Sequence, residues 1–337
     1  MAGPDPSVAQ IRSAVRPALT ASEQPVLVAC SGGADSLALA AAVAFEAARA
    51  GVPAGAVTVD HGLQPGSAAR AESTATLLRN LGLAPVSVVR VEVGRDGGPE
   101  AAARTARYRA LRTAAAEHGA RIALGHTLDD QAETVLLGLG RGSGPRSVAG
   151  MVPHRVGGGV PFWRPLLGIR RVTTRAACAA LELPVWDDPW NDDPAYTRVR
   201  LRTEALPLLE EVLGGGVAAA LARTAALLRE DLDLLDDLAG AELDRLADGR
   251  GLPARETAAL PAALRRRVLR GWLRAAAVPD LQAVHLAAVD ALLTDWRGQG
   301  RVDLPGGAGV VRTSGTLTVV PAHDGQHTPH DFEEPDA

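Results

Sequence analysis

The chain has 337 residues, is 47% hydrophobic and 22% charged, and carries a formal net charge of −4 with a pI near 6.1. That composition describes a globular protein long enough for two domains with cores of their own, and it excludes a globally basic nucleic-acid-coating surface. All 35 basic residues are Arg, so every cationic contact to a phosphate must come from Arg, His or the backbone.

Cys30 and Cys178 are the only cysteines and form no C-x-x-C pair, which excludes a disulfide framework and a zinc set. Arg12 and Arg16 interrupt the N-terminal region where a signal peptide would need an apolar run, and no stretch approaches a membrane span. A cytoplasmic protein is expected.

Val8, Ile11, Val15 and Leu19 repeat at helical spacing and predict a first helix. From Val26 to about Gly140 strands and helices alternate. The predicted strands are Val26–Cys30, Ala56–Asp60, Val86–Val93 and Arg121–Gly125. The helices between and after them are Ser36–Ala50, Ala68–Gly82, Pro99–His118 and Asp129–Leu139. Such alternation implies right-handed crossovers and a parallel sheet covered on both faces. A Gly/Pro-rich stretch, 140–168, reads as loop with short strands. A helix from about Val172 to Leu181, a strand Pro184–Asp187 and an acidic turn to Pro194 are expected next.

Gly214-Gly215-Gly216 is the expected domain boundary, giving domains 1–214 and 217–320. Beyond it the pattern is helical. Leu260, Leu264, Val268 and Trp272 form an apolar side at four-residue spacing, with Arg266, Arg270 and Arg274 opposite. Val284, Ala288 and Leu292 mark a last helix, residues 301–320 a hairpin, and 321–337 a disordered tail.

In open α/β sheets ligands sit beyond the carboxyl ends of the strands, and the polar clusters fall there. Ser31-Gly32-Gly33-Ala34-Asp35-Ser36 follows the first strand. Two glycines permit a tight turn, and the N–H groups opening the next helix favour an anion. The loop resembles the PP-loop of ATP pyrophosphatases, which split ATP into AMP and pyrophosphate. Asp35 beside polyphosphate implies a bridging Mg²⁺. Asp60-His61-Gly62 follows the second strand. Gly125 to Thr134 follows the fourth, and its Asp130 and Glu133 share one helix face, able to hold Mg²⁺ or a substrate ammonium.

These stretches occur in order with Glu100…Arg107-Tyr108, Arg141-Gly142-Ser143-Gly144, Arg164-Pro165-Leu166-Leu167 and Arg198–Arg202. Together they closely resemble the tRNA(Ile)-lysidine synthetase family, over about Val26 to Leu213. Residues 260–293, with Leu264-Arg265-Arg266-Arg267 and His285, are similar to that family's helical substrate-binding domain. The resemblance implies a doubly wound parallel sheet of the PP-loop, Rossmann-like α/β class, followed by a mostly α-helical domain. It also implies the activity. ATP adenylates the wobble cytidine of a tRNA(Ile) with a CAU anticodon, and free L-lysine displaces AMP to give lysidine.

By the same resemblance Asp35, His126, Asp130 and Glu133 are the catalytic set. Ser31, Gly32, Gly33, Ala34, Asp35, Ser36 and His61 would bind ATP. Asp130 and Glu133, with Arg198 and Arg200, would bind lysine, and Asp35 would hold Mg²⁺. Arg266, Arg270 and Arg274 are the expected tRNA contacts, and a homodimer is left open. Trp190 stands where the family often has Ser, and Val199 where it often has Asn. The chain also ends early beside longer members, so a further C-terminal tRNA-binding domain is not expected. The rival readings are tRNA thiolation on a similar loop, against which two unpaired cysteines argue, and a non-catalytic ATP sensor, which would need no acidic pair. Amide-forming synthetases of the superfamily would need a glutaminase module.

Overall fold

A computed structural model describes residues 3–94, 98–142, 144–247, 249 and 251–321, with the backbone alone at 99, 100 and 191. The expected tail from 322 onward, Ser143 and the Glu100 side chain lie outside the described residues. Two compact units divide at Leu228/Arg229.

The first unit opens with α1 (Pro6–Thr20), whose buried Val8, Ile11, Val15 and Leu19 are the predicted stripe. Then follow β1 (Val26–Ala29), α2 (Ala34–Ala50), β2 (Ala54–Asp60), α3 (Ser67–Asn80), β3 (Val86–Arg90), α4 (Pro99–Glu117), β4 (Arg121–Leu124) and α5 (Leu128–Arg141). After a short α6 (Pro145–Val148) come β5 (His154–Gly157), β6 (Val160–Trp163), α7 (Arg171–Ala180), α8 (Thr197–Arg200) and α9 (Leu206–Val212). A π-helical segment, Leu201–Ala205, joins α8 to α9.

The sheet order is β3-β2-β1-β4-β6-β5. All neighbours run parallel except β5, which is antiparallel to β6. Side-chain alternation along β1 serves both faces. Val26 and Val28 pack into the core under α1, α2 and α7, and Leu27 packs with Leu111, Ile122 and Phe162 on the α4 side. The chain winds outward from β1 to β3, then returns to β4 on β1's other side. The switch point therefore lies between β1 and β4, where ligands bind in such folds.

The predicted strand Pro184–Asp187 does not form. That segment makes one backbone bond, from the Trp186 N–H to the Gly32 carbonyl at 3.1 Å, instead of joining the sheet. Two prolines nearby, Pro184 and Pro189, lack the N–H a ladder needs. Gly214–Gly216, all at positive φ, form the turn into α10 (Val217–Leu246), and the division into units falls later, inside that helix.

The second unit continues with β7 (Leu252–Pro253), α11 (Ala254–Ala259), α12 (Ala262–Ala275), α13 (Ala283–Thr294), β8 (Val302–Asp303), β9 (Gly309–Thr313) and β10 (Thr316–Val320). The expected hairpin is β9–β10, and it is extended by β7 and β8 into a four-stranded sheet, β7-β10-β9-β8. Its core joins Val268, Leu269, Trp272 and Leu273 of α12 to Leu286, Val289, Leu292 and Leu293 of α13. Val284 is exposed, so the buried stripe of α13 is offset from the one that Val284, Ala288 and Leu292 suggest. No single described helix is long and apolar enough to cross a membrane.

Candidate active site

The loop after β1 and the loop after β4 meet at the switch point. Gly125 makes the approach possible, since a Cβ there would stand 3.0–3.1 Å from the backbone of Asp35 and Ser36. Gly32 takes φ +87°, and its own Cβ would meet the Thr74 hydroxyl at 2.8 Å. Position 32 therefore demands Gly, and a side chain at Gly125 would press the two loops apart by a few tenths of an ångström.

Within the PP-loop, the Ser36 hydroxyl accepts from the Ser31 N–H at 3.2 Å and donates to the Gly33 carbonyl at 2.9 Å. Ser36 thus braces the loop from within. Gly33, the N-cap of α2, supplies no side-chain cap, leaving the helix start suited to an anion. The Trp186 segment lies across this loop, with the Arg70 guanidinium 4.6 Å from the Trp186 ring centre and Gln64 donating to Asp188 at 2.9 Å. His61, at the end of β2, is half-buried with an unpartnered Nδ1, and burial with Arg107 nearby lowers its pKa.

At the start of α5, Thr127 and Asp130 form a capping box. The Asp130 carboxylate accepts from the Thr127 N–H at 2.7 Å, and the Thr127 hydroxyl faces the Asp130 N–H at 3.4 Å. One turn on, Glu133 is fully buried. A buried carboxylate needs a partner, and Glu133 has several. Arg202 Nε donates to it at 2.9 Å, Arg171 Nη1 at 3.4 Å, and Arg198 Nη1 lies 3.8 Å away.

Arg171, the first residue of α7, gathers the site. Its Nη2 donates to Asp130 at 2.6 Å and its Nε to Asp35 at 3.3 Å, beside the contact to Glu133. Its backbone N–H donates to Asp129 at 2.7 Å, and the adjacent Arg170 pairs with Asp129 at 3.1 Å. The Thr174 hydroxyl donates to Asp35 from the same helix. Burial raises the Asp35 pKa against the opposing pull of Thr174 and Arg171. Asp130 is held below its ordinary value by Arg171 and the Thr127 N–H, which outweigh its burial.

His126, between β4 and α5, has its pKa pushed down to about 3. Burial is the largest cause, and Arg164, Arg107 and Arg104 add to it while Asp130 opposes. Its Nδ1 has no hydrogen-bond partner. The imidazole is therefore neutral and half-buried, with its Nδ1 shut away from solvent.

The structure thus brings Asp35, Asp130, Glu133 and Arg198 into one cluster, with His126 near enough to feel the Asp130 charge. It does not bring Arg200, which turns outward to Glu204 at 3.0 Å. Arg202, on the π-helical segment, takes the place beside Glu133. Arg171 and Thr174 were absent from the sequence expectations. A signal for Arg171 existed, because Arg170 and Arg171 open α7, where the helix dipole disfavours cations unless carboxylates are near.

Both cysteines are buried. Cys30 Sγ lies 3.4 Å from the Ser36 hydroxyl, and burial raises its pKa. Cys178 donates to the Ala34 carbonyl at 3.3 Å, and burial with Asp35 nearby pushes its pKa up to about 11. Neither is a ready thiolate.

In the second unit, Arg266 and Arg274 are exposed and Arg270 is half-buried. Arg266 also reaches Asp290 at 3.4 Å. Arg265 is buried, paired with Asp290 at 2.6 Å and donating to the Leu260 carbonyl at 2.9 Å, so it belongs to the core.

Among the described residues no group of three or more His, Cys, Asp or Glu is arranged to hold a metal by itself. Asp35, the one carboxylate of the cluster on the phosphate cradle itself, fits Mg²⁺, which characteristically takes one or two carboxylates and completes its shell with phosphates and water.

Comparison with known proteins places this geometry. Residues 6–209 match the model of the PP-loop domain, and residues 252–318 match that of the TilS substrate binding domain. A tRNA(Ile)-lysidine synthase of Salinispora tropica is 56% identical over 95% of this chain and 98% of its own. One of Streptomyces coelicolor is 53% identical over 94% and 99%. Among solved structures, the U34-tRNA thiolase NcsA from Methanococcus maripaludis, with its [4Fe-4S] cluster, is 19% identical. It superposes with a TM-score of 0.54 over 66% of this chain and 80% of its own, a likeness of fold.

Proposed function

Since the chain belongs to the tRNA(Ile)-lysidine synthase family, we propose that its switch-point cluster is the site where L-lysine is joined to the wobble cytidine of a tRNA(Ile) with a CAU anticodon. The observation that carries this reading is the convergence of Asp35, Asp130 and Glu133 on one guanidinium beside an uncapped PP-loop. One carboxylate belongs to the nucleotide loop. The other two lie beyond it, where a second, cationic substrate needs them.

In the first step the cytidine O2 attacks the α-phosphorus of ATP, the α–β phosphoanhydride bond breaks and pyrophosphate leaves. The backbone N–H groups of Gly32 to Asp35 and the start of α2 cradle the departing charge. Asp35 would hold Mg²⁺, which supplies charge neutralisation at the phosphates. In the second step the lysine ε-amine adds to C2 of the cytidine, the C2–O2 bond to the adenylate breaks and AMP leaves. Asp130 and Glu133 bind the ammonium, and Arg198 or Arg202 receives the lysine carboxylate.

The amine must lose a proton before it attacks. His126 is neutral at physiological pH with a free Nδ1. The exposed Arg266 and Arg274, with Arg270, contact phosphates of the tRNA; Arg suits that role by its bidentate fork.

Glu133→Gln tests the lysine seat. The variant should raise the lysine KM by at least about tenfold, the cost of one charged contact, while pyrophosphate release with tRNA and ATP stays near wild type. Unchanged lysine KM would remove Glu133 from the seat.

A further inference from the structure

Among the described residues of the first unit Arg171 pairs with the most carboxylates, and the two chemical steps leave it without a role. It bridges the nucleotide side of the site, through Asp35, and the lysine side, through Asp130 and Glu133. Its guanidinium, with five N–H donors, meets the two carboxylates, Asp130 and Glu133, that an ammonium with three would use. Arg202 also holds Glu133, but among the described residues Arg171 alone bridges Asp130 and Glu133.

We propose that Arg171 is the resident counter-cation of the lysine seat and couples the seat to the nucleotide. With no nucleotide present it fills the place of the ε-ammonium. Polyphosphate on the PP-loop sets a competing anion next to its Asp35 contact and draws the guanidinium toward it. Asp130 is then released for lysine, and Glu133, still steadied by Arg202 and Arg198, gains a free side toward it. The inference rests on the lysine-seat reading above and adds to it an order of binding.

Three features of the residue favour this role. The side chain is 18% exposed, so it has room to move at the edge of the cluster while Glu133, at 1%, has none. It starts α7, where the helix dipole repels a cation, and so it is held there by the carboxylates and not by its own helix. It is also Arg and not Lys. A guanidinium stays protonated and is no nucleophile, whereas a lysine amine at this point would itself stand ready to attack an adenylated cytidine.

Coupling of this kind is reciprocal and typically amounts to roughly 5–150-fold in affinity. Calorimetric titration of L-lysine into the full chain, with and without α,β-methylene-ATP and Mg²⁺, measures it without any turnover. In wild type the nucleotide analogue should tighten lysine binding by about tenfold, within that range. Arg171→Gln should bind lysine as tightly without the analogue as wild type does with it, and the analogue should then shift its affinity less than about twofold. Retained affinity for the analogue certifies that the variant is folded, and Arg171→Met replaces it if it is not. Absence of coupling in wild type, or undiminished coupling in the variant, overturns the proposal. Lysine binding that ignores Glu133→Gln would instead remove the seat itself, and this inference with it.

Discussion

Asp35 stands half-buried in the first turn of α2, where the helix dipole favours a carboxylate, and Thr174 and Arg171 fix its position. Asp35→Ala should abolish pyrophosphate release, and normal release in that variant would remove its role at the phosphates. Ser36→Ala should be milder, a loss of about 0.5–1.5 kcal/mol for a neutral hydrogen bond, because Ser36 braces the loop from inside. His126 gives a pH prediction. Its folded pKa, about 3, lies below the ordinary value near 6.5. The unfolded chain therefore binds more protons in that window, and stability is lost as pH falls from about 6.5 toward 3. His126→Asn should flatten this acid limb in thermal melts, and an unchanged limb would show that His126 does not set it. At this scale the sequence displayed the carboxylates and the imidazole, since their motifs are local. It could not display Arg171 or Arg202 as their partners, because those contacts join α5 to segments far along the chain.

The elements matter through how closely two loops approach. Gly125 lets the β4–α5 turn rest on the backbone of Asp35 and Ser36. Gly125→Ala should push the PP-loop away and raise the ATP KM by an order of magnitude or more, consistent with the cost of a small misplacement. A normal ATP KM would show that the two loops are free to separate. Periodicity predicted the parallel strands and their helices because each carries its own apolar pattern. It failed at Pro184–Asp187, where a strand-like composition is spent on one bond to the Gly32 carbonyl, and at Val284, where short apolar repeats fit more than one helix face. The four-stranded sheet was legible only as its hairpin, since β7 is a two-residue strand supplied from far upstream.

For the whole molecule, each unit has its own core. The buried Arg265–Asp290 pair fastens α12 to α13, so Asp290→Ala should destabilise the second unit by about 3–5 kcal/mol, the usual result of stranding a buried charge. Changing Arg266, Arg270 and Arg274 together to Ser should weaken tRNA binding and lower its salt dependence, since each lost phosphate contact removes about one from the slope. ATP binding should not change. An unaltered salt slope would make that helix face solvent-exposed only. The most direct measurement of the central claim is incubation of the full chain with ATP, labelled L-lysine and total tRNA, followed by isolation and nucleoside analysis of the labelled RNA. Label confined to tRNA(Ile) with a CAU anticodon, as lysidine at the wobble position and dependent on ATP, is the predicted result. A folded, ATP-binding chain that leaves lysine off the tRNA, or that installs sulfur in its place, would contradict it.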